Sequence, residues 1–239
     1  MSAIQLEVCV DDTEGLATAI EGGADRIELC SALQLGGLTP SPGLIALAAQ
    51  ANIPVYAMIR PRSGDFIYGE REIDQMLRDI DTVRASGLAG VVFGVNKPDS
   101  SLDHRALDRL TAHANGLGTT LHRAFDLVPD IGEAVHIATD TGFERILTSG
   151  RAPIALEGLD DLEKAFAAAG DKIAIMPGSG LTADNVDILL SRLPVTEIHA
   201  SCSAAFPPSS RNLVRLGFDD GLRRKTDKHR VATLKRKLR

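Results

Sequence analysis

At 239 residues, with 44% hydrophobic and 24% charged residues and a mean hydropathy of +0.02, the chain has the composition of an ordinary globular protein and is long enough to bury a large core in one domain. The same values exclude an integral membrane protein. The formal charge of −6 is uneven, because Arg211 to Arg239 carry 11 Lys+Arg against 3 Asp while the preceding residues carry 15 Lys+Arg against 29 Asp+Glu.

No aromatic residue follows Phe218 in this basic tail and the chain has no Trp, so nucleic acid is not the expected partner. A solvated last helix, or one docked on an acidic face of the same or a neighbouring subunit, is expected instead. Met1 to Glu7 has neither a basic stretch nor an apolar run, so neither export nor a membrane anchor is expected. Cys9, Cys30 and Cys202 are too few and too scattered for a disulfide framework and read as reduced thiols of a cytoplasmic protein.

In chain order, Ile4 to Val10 alternates with period two, so Gln5, Glu7 and Cys9 share one strand face. Asp11-Asp12-Thr13 offers helix caps, and Gly22-Gly23 closes a first helix. The second strand, Arg26 to Cys30, puts Arg26, Glu28 and Cys30 on one face. Alignment with its neighbour is expected to set Glu7 opposite Glu28 and Cys9 opposite Cys30. Ser41-Pro42 starts the next helix, after the Gly/Pro-rich loop Leu35 to Pro42. Val55 to Arg62 is the third strand, with Met58, Arg60 and Arg62 on one side, and Ser63 to Gly69 forms a loop able to act as a lid.

Ile73, Met76, Leu77, Ile80 and Val83 make a helical stripe within Glu70 to Ser86. The apolar run Gly90 to Val95 reads as a strand buried on both faces. A helix over His104 to Leu117 precedes Thr119-Thr120-Leu121-His122-Arg123-Ala124-Phe125-Asp126, where a β-branched run ends in an imidazole, a guanidinium and a carboxylate. Only one of His122 and Arg123 can point into a barrel. Further units follow as helix Asp130 to Thr141, strand Arg145 to Gly150, helix Leu159 to Ala169, strand Lys172 to Gly180, helix Thr182 to Arg192 and strand Glu197 to Ser203.

Eight strands alternating with helices at roughly 25 to 30 residues per unit predict a single-domain α/β protein, a (β/α)8 TIM-type barrel over residues 1–203, with a basic C-terminal tail over 204–239. Strand ends of such a barrel converge on one mouth, which gathers Glu7, Glu28, Arg60, Arg62, His122, Arg123, Asp126 and His199. The carboxylates with His122 suit acid/base catalysis, for which Glu7, Glu28, His122 and Asp126 are the candidates. They suit a divalent cation or a structural ion-pair network equally. Gly178-Ser179-Gly180, with Ser149 and Ser201, reads as an anion cradle beside the N-terminus of the seventh helix, and Arg60, Arg62, Arg123 and His199 would add positive charge.

The segments Leu6 to Cys9, Ala24 to Cys30, Gly36 to Ser41, Met58 to Arg62, Leu121 to Asp126, Leu147 to Gly150, Met176 to Gly180 and His199 to Cys202 together resemble the CutC copper homeostasis family, in order over residues 4 to 203. The resemblance implies a barrel fold, a cytoplasmic location, a homodimer or higher homo-oligomer, and Cu(I) binding. A soft Cu(I) ion favours thiolates, and Cys9 and Cys30 are the implied ligands, with Met58 or Cys202 nearby. The arginine-rich mouth argues instead for an enzyme acting on a small anionic or phosphorylated metabolite. A small anion or a metal ion at the mouth is therefore the expected partner.

Overall fold

The computed structural model describes residues 3–239. Met1 and Ser2, which begin both the expected barrel span and the segment read for an export signal, lie outside the described residues. Eight parallel strands, β1 (Gln5–Val10), β2 (Arg26–Leu29), β3 (Val55–Met58), β4 (Gly90–Phe93), β5 (Gly118–Leu121), β6 (Arg145–Thr148), β7 (Ala174–Pro177) and β8 (Glu197–Ala200), form one sheet in the order β7-β6-β5-β4-β3-β2-β1-β8. Its two ends meet, since a Cβ built on Gly178, just after β7, would lie 3.1 Å from the Cβ of His199 in β8. The sheet is thus the nearly closed (β/α)8 barrel that the sequence pattern predicts.

Between the strands run α1 (Thr13–Gly22), α2 (Pro42–Ala48), α3 (Glu70–Ala85), α4 (His104–His113), α5 (Ile131–Asp140), α6 (Leu159–Ala169) and α7 (Val186–Arg192). The caps are the polar residues read from the sequence: Asp12 accepts from Gly15 N, Ser41 accepts from Leu44 N, and Pro42 occupies the first turn of α2. In α3 the stripe Ile73, Met76, Ile80 and Val83 is buried. Strand parity divides the barrel: Leu6, Val8, Val10, Ile27, Leu29, Val55, Ala57, Val91 and Phe93 join the continuous apolar layer under the helices. Gln5, Glu7, Cys9, Arg26, Glu28, Tyr56, Met58, His122, Glu197 and His199 consequently face the barrel interior.

Several elements are shorter than their composition suggests. Strand five stops at Leu121 because His122 Nδ1 accepts from Ala124 N at 3.1 Å and starts a 3-10 turn over Arg123–Leu127. The seventh helix begins at Val186 rather than Thr182. Asn185 explains this: its Oδ1 accepts from Thr182 N at 2.8 Å and its Nδ2 donates to Gly180 O at 2.9 Å, which closes residues 180–185 into a turn.

Beyond β8 the chain makes an excursion, with β9 (Ser203–Ala205) antiparallel to β10 (Arg224–Thr226) and the short α8 (Arg211–Arg215) between them, before α9 (Lys228–Lys237). Val231, Leu234 and Leu238 are buried in the main apolar layer. A Cβ on Gly22 of α1 would come within 2.6 Å of the Val231 Cβ, so α1 and α9 touch at the backbone. Lys225 and Lys228 pair with Glu14 and Glu21 of α1 at 3.4 and 2.9 Å. The basic segment thus docks on an acidic face of its own barrel and supplies the helix that closes the ring. Among the described residues no helix is long and apolar enough to cross a membrane.

Candidate metal centre

The floor of the barrel interior is an ion-pair layer. Arg26 pairs through Nε with Glu7 and through Nη2 with Glu197 at 2.5 Å, Arg145 reaches Glu197 at 3.3 Å, and both guanidinium groups lie against the Tyr56 ring, at 5.4 and 4.9 Å from its centroid. The Tyr56 ring fits because Gly90 and Gly118 beside it have no side chain; a Cβ on either would lie 2.3 and 2.1 Å from ring atoms or the hydroxyl. Burial works against the Arg26 charge, but Glu7 and Glu197 outweigh it and hold its pKa above the ordinary value. Glu7, fully buried and ion-paired, therefore belongs to the barrel floor and not to the mouth.

One layer above, the register settles the neighbours of Cys9. β1 and β2 pair as Glu7↔Arg26 and Cys9↔Glu28, while β1 and β8 pair as Glu7↔His199. The expected matches of Glu7 with Glu28 and Cys9 with Cys30 are corrected: the strands of a closed barrel are staggered, and β2 is displaced by two residues from the simple alignment. The displacement preserves the faces and changes the partners. Cys9 Sγ, a Glu28 carboxylate oxygen and a His199 ring nitrogen all lie within 4.8 Å of one another.

His199 Nε2 is 3.1 Å from Glu28 Oε2, and the other carboxylate oxygen, Glu28 Oε1, is buried without a hydrogen-bond partner. Burial disfavours the imidazolium, yet Glu28 and Cys9 beside it dominate and raise the His199 pKa well above its ordinary value. Cys30 lies outside the three-residue cluster. Its Sγ sits 3.7 Å from Glu28 Oε2, it packs with Tyr56, Met58 and Val92, and burial with Glu28 holds its thiol pKa far up. Cys202 is pushed up to about 12, mainly by burial.

A cavity of about 810 Å³ opens over this layer, roofed by the excursion. Cys9 reaches it from the cluster, Asp11, Asp12, Asp219 and Asp220 line it with Arg223, Arg224 and Lys225, and Ser201 stands at its edge with its hydroxyl 3.0 Å from that of Ser203. The sequence aimed other residues at this mouth that the structure places elsewhere. Arg60 is buried and donates to Leu35 O, Gly37 O and Gly64 O at 2.9, 3.0 and 2.9 Å, tying two loops together. Arg62 is half-exposed and pairs with Glu72 and Asp65 at 2.6 and 2.9 Å.

His122 points inward and Arg123 lies at the rim, which answers the choice between them. Arg123 donates to Asp126 and Ser149 Oγ at 2.7 and 2.6 Å. Asp126 also accepts from Thr148 Oγ1, Ser149 N and Arg151 N, so its carboxylate stitches the ends of β5 and β6. Gly178 N donates to Thr148 O, Ser179 Oγ donates to Pro153 O, and Ala155 N donates to Ser179 O. The Gly178-Ser179-Gly180 loop is thereby tied to a neighbouring loop, and the displaced start of α7 leaves no helix terminus beside Gly180.

The sequence alone puts His199 and Glu28 in the mouth without joining them to Cys9. The available signal was strand parity, which sets Glu28 and His199 on the inward face with Cys9; the stagger that brings them together is invisible in single strands.

The CutC family model matches residues 4–204. The chain belongs to the CutC family. A CutC family protein of Rhizobium meliloti is 56% identical over 238 residues, covering 100% of this chain and 97% of the relative, and a Caulobacter vibrioides member is 52% identical over 239 residues, covering 99% and 97%. A Streptococcus agalactiae CutC structure, named for copper homeostasis, superposes with a TM-score of 0.78 at 31% identity, covering 83% of this chain and 98% of that one. Thiamine phosphate pyrophosphorylase of Pyrococcus furiosus, with a TM-score of 0.59 and 16% identity over 98% of this chain and 95% of that one, shares the fold alone.

Proposed function

We propose that this CutC-family chain binds one copper ion, as Cu(I), through Cys9 and His199, with Glu28 positioning the imidazole and offering an oxygen. The observation that carries this reading is the three-residue cluster itself, which assembles a sulfur, an imidazole nitrogen and a carboxylate oxygen from three adjacent strands. Thiolate and imidazole suit copper, and a carboxylate beside a ligating imidazole fixes its orientation. The reading moves the second ligand from Cys30 to His199. The arginines that argued against a cation are engaged with carbonyls and carboxylates instead. Acid/base catalysis is the weaker reading, since Glu7 is ion-paired and Asp126 holds two strand ends together.

Binding at Cys9 needs a reduced thiolate, which fits a cytoplasmic setting. Phe206, Val214, Leu216, Phe218 and Leu222, all exposed on the excursion, support self-association into a homo-oligomer. Chelator competition tests the assignment: Cys9→Ser and His199→Ala lose Cu(I) affinity by an order of magnitude or more, and Cys30→Ser keeps it. Equal affinity in wild type and Cys9→Ser would overturn it.

A further inference from the structure

We propose that Arg60 and His122 form a second binding site, for a small oxyanion, beneath Phe66 at the ends of β3 and β5. Two buried groups here lack the partners their chemistry calls for. Arg60 is 5% exposed and its guanidinium donates only to neutral carbonyls; among the described residues no carboxylate pairs with it, and its Nε has no acceptor. A buried positive charge without a counter-charge is unfavourable unless something anionic completes it.

His122 supplies the second donor. It is 4% exposed, and because Nδ1 accepts from Ala124 N, the neutral ring carries its proton on Nε2, which also has no partner. Burial, with the Arg60 charge nearby, lowers its pKa to about 3, so the ring stays a neutral N–H donor at ordinary pH. Two further buried atoms have no partner: Asn96 Oδ1, on a side chain whose Nδ2 donates to Ala124 O at 3.2 Å, and Tyr68 Oη, two residues beyond Phe66.

Phe66 joins these groups. Its ring lies 4.7 Å from the His122 ring and 4.9 Å from the Arg60 guanidinium carbon, and its carbonyl accepts from Asn96 N at 2.9 Å. The residues around it, 61–69, contain no helix or strand and include Gly64 at φ +91°. Displacing this half-buried ring uncovers two N–H donors and a fixed positive charge. That set fits one carboxylate or phosphate group. The site shares no residue with the metal cluster.

The test follows the His122 side chain by 15N NMR while inorganic phosphate, or in a separate arm acetate, is added to the full chain at an ionic strength fixed with sodium chloride. The expected result is a saturable shift of Nε2 with one of the two anions, which also tells phosphate from carboxylate. Calorimetry is expected to show binding about tenfold weaker or worse in Arg60→Gln and in His122→Ala, and unchanged binding in Cys9→Ser, which would fail only if this site were part of the metal centre. Arg60 also ties loops together, so His122→Ala decides the matter if Arg60→Gln does not fold. No saturable Nε2 shift with either anion, or unchanged affinity in His122→Ala, overturns the proposal.

Discussion

Replacing Arg26 with methionine tests the reading of Glu7 as part of a structural floor. In the native layer two guanidinium groups, Arg26 and Arg145, face two buried carboxylates, Glu7 and Glu197, with the half-exposed Glu144 also on Arg145 at 3.1 Å, and Arg26 and Glu7 are 5% and 0% exposed. Removing Arg26 leaves Glu7 without its cation in a site water does not reach, and breaking such a pair costs about 3–5 kcal/mol. At roughly 2–4 °C per kcal/mol for a domain of this size, the melting temperature should fall by about 6–20 °C. Urea unfolding with an unchanged m-value would confirm that stability, not the native structure, has changed. Adding Glu7→Gln restores charge balance and should recover about 1–3 kcal/mol of the loss. A loss below about 1 kcal/mol, the value of a solvated surface pair, would refute the reasoning and return Glu7 to the candidates for chemistry.

Three further outcomes follow from the geometry. Gly22→Ala places a Cβ 2.6 Å from that of Val231 and should cost about 1–3 kcal/mol in chemical denaturation despite the better helix former, because it pushes α9 off the barrel. The His199 pKa lies above its unfolded value of 6.5, so the stabilisation from its pairing with Glu28 is complete below about pH 6.5 and is lost as pH rises towards the folded value; in metal-free protein, Glu28→Gln should flatten that decline in a pH series of melting temperatures. Cys30 and Cys202, with thiols raised well above 9 and to about 12, should resist iodoacetamide at pH 8 in the folded protein, as read by mass spectrometry, and rapid labelling of either would contradict their burial.

The architecture was legible because a barrel writes its periodicities into the chain: inward polar residues alternate with Leu6, Val8 and Val10 in β1, and Ile73, Met76, Ile80 and Val83 repeat at helical spacing in α3. A basic last helix was expected from the charge asymmetry, but that α9 closes the ring was not legible, since Lys and Arg dominate its composition and its short stripe of Val231, Leu234 and Leu238 gains meaning only against Gly22. In the site, the residue types and their inward faces were readable, and the pairing was not. Register between strands depends on barrel stagger, so Cys9 met Glu28 and His199 instead of Cys30. Nor can sequence show that Arg60 donates to carbonyls of its own loops and has no carboxylate partner, while Arg62 and Arg123 are paired with carboxylates, because every guanidinium at a strand end looks alike.

The central claim, a Cu(I) ion held by one sulfur and one imidazole, is tested most directly by X-ray absorption at the copper edge on the full chain loaded with one equivalent of Cu(I) under reducing conditions. The expected result is a coordination shell with a single sulfur scatterer and a nitrogen or oxygen neighbour that shows imidazole multiple scattering, reduced to a shell without sulfur in Cys9→Ser. A shell of two sulfurs that loses one in Cys30→Ser would contradict it.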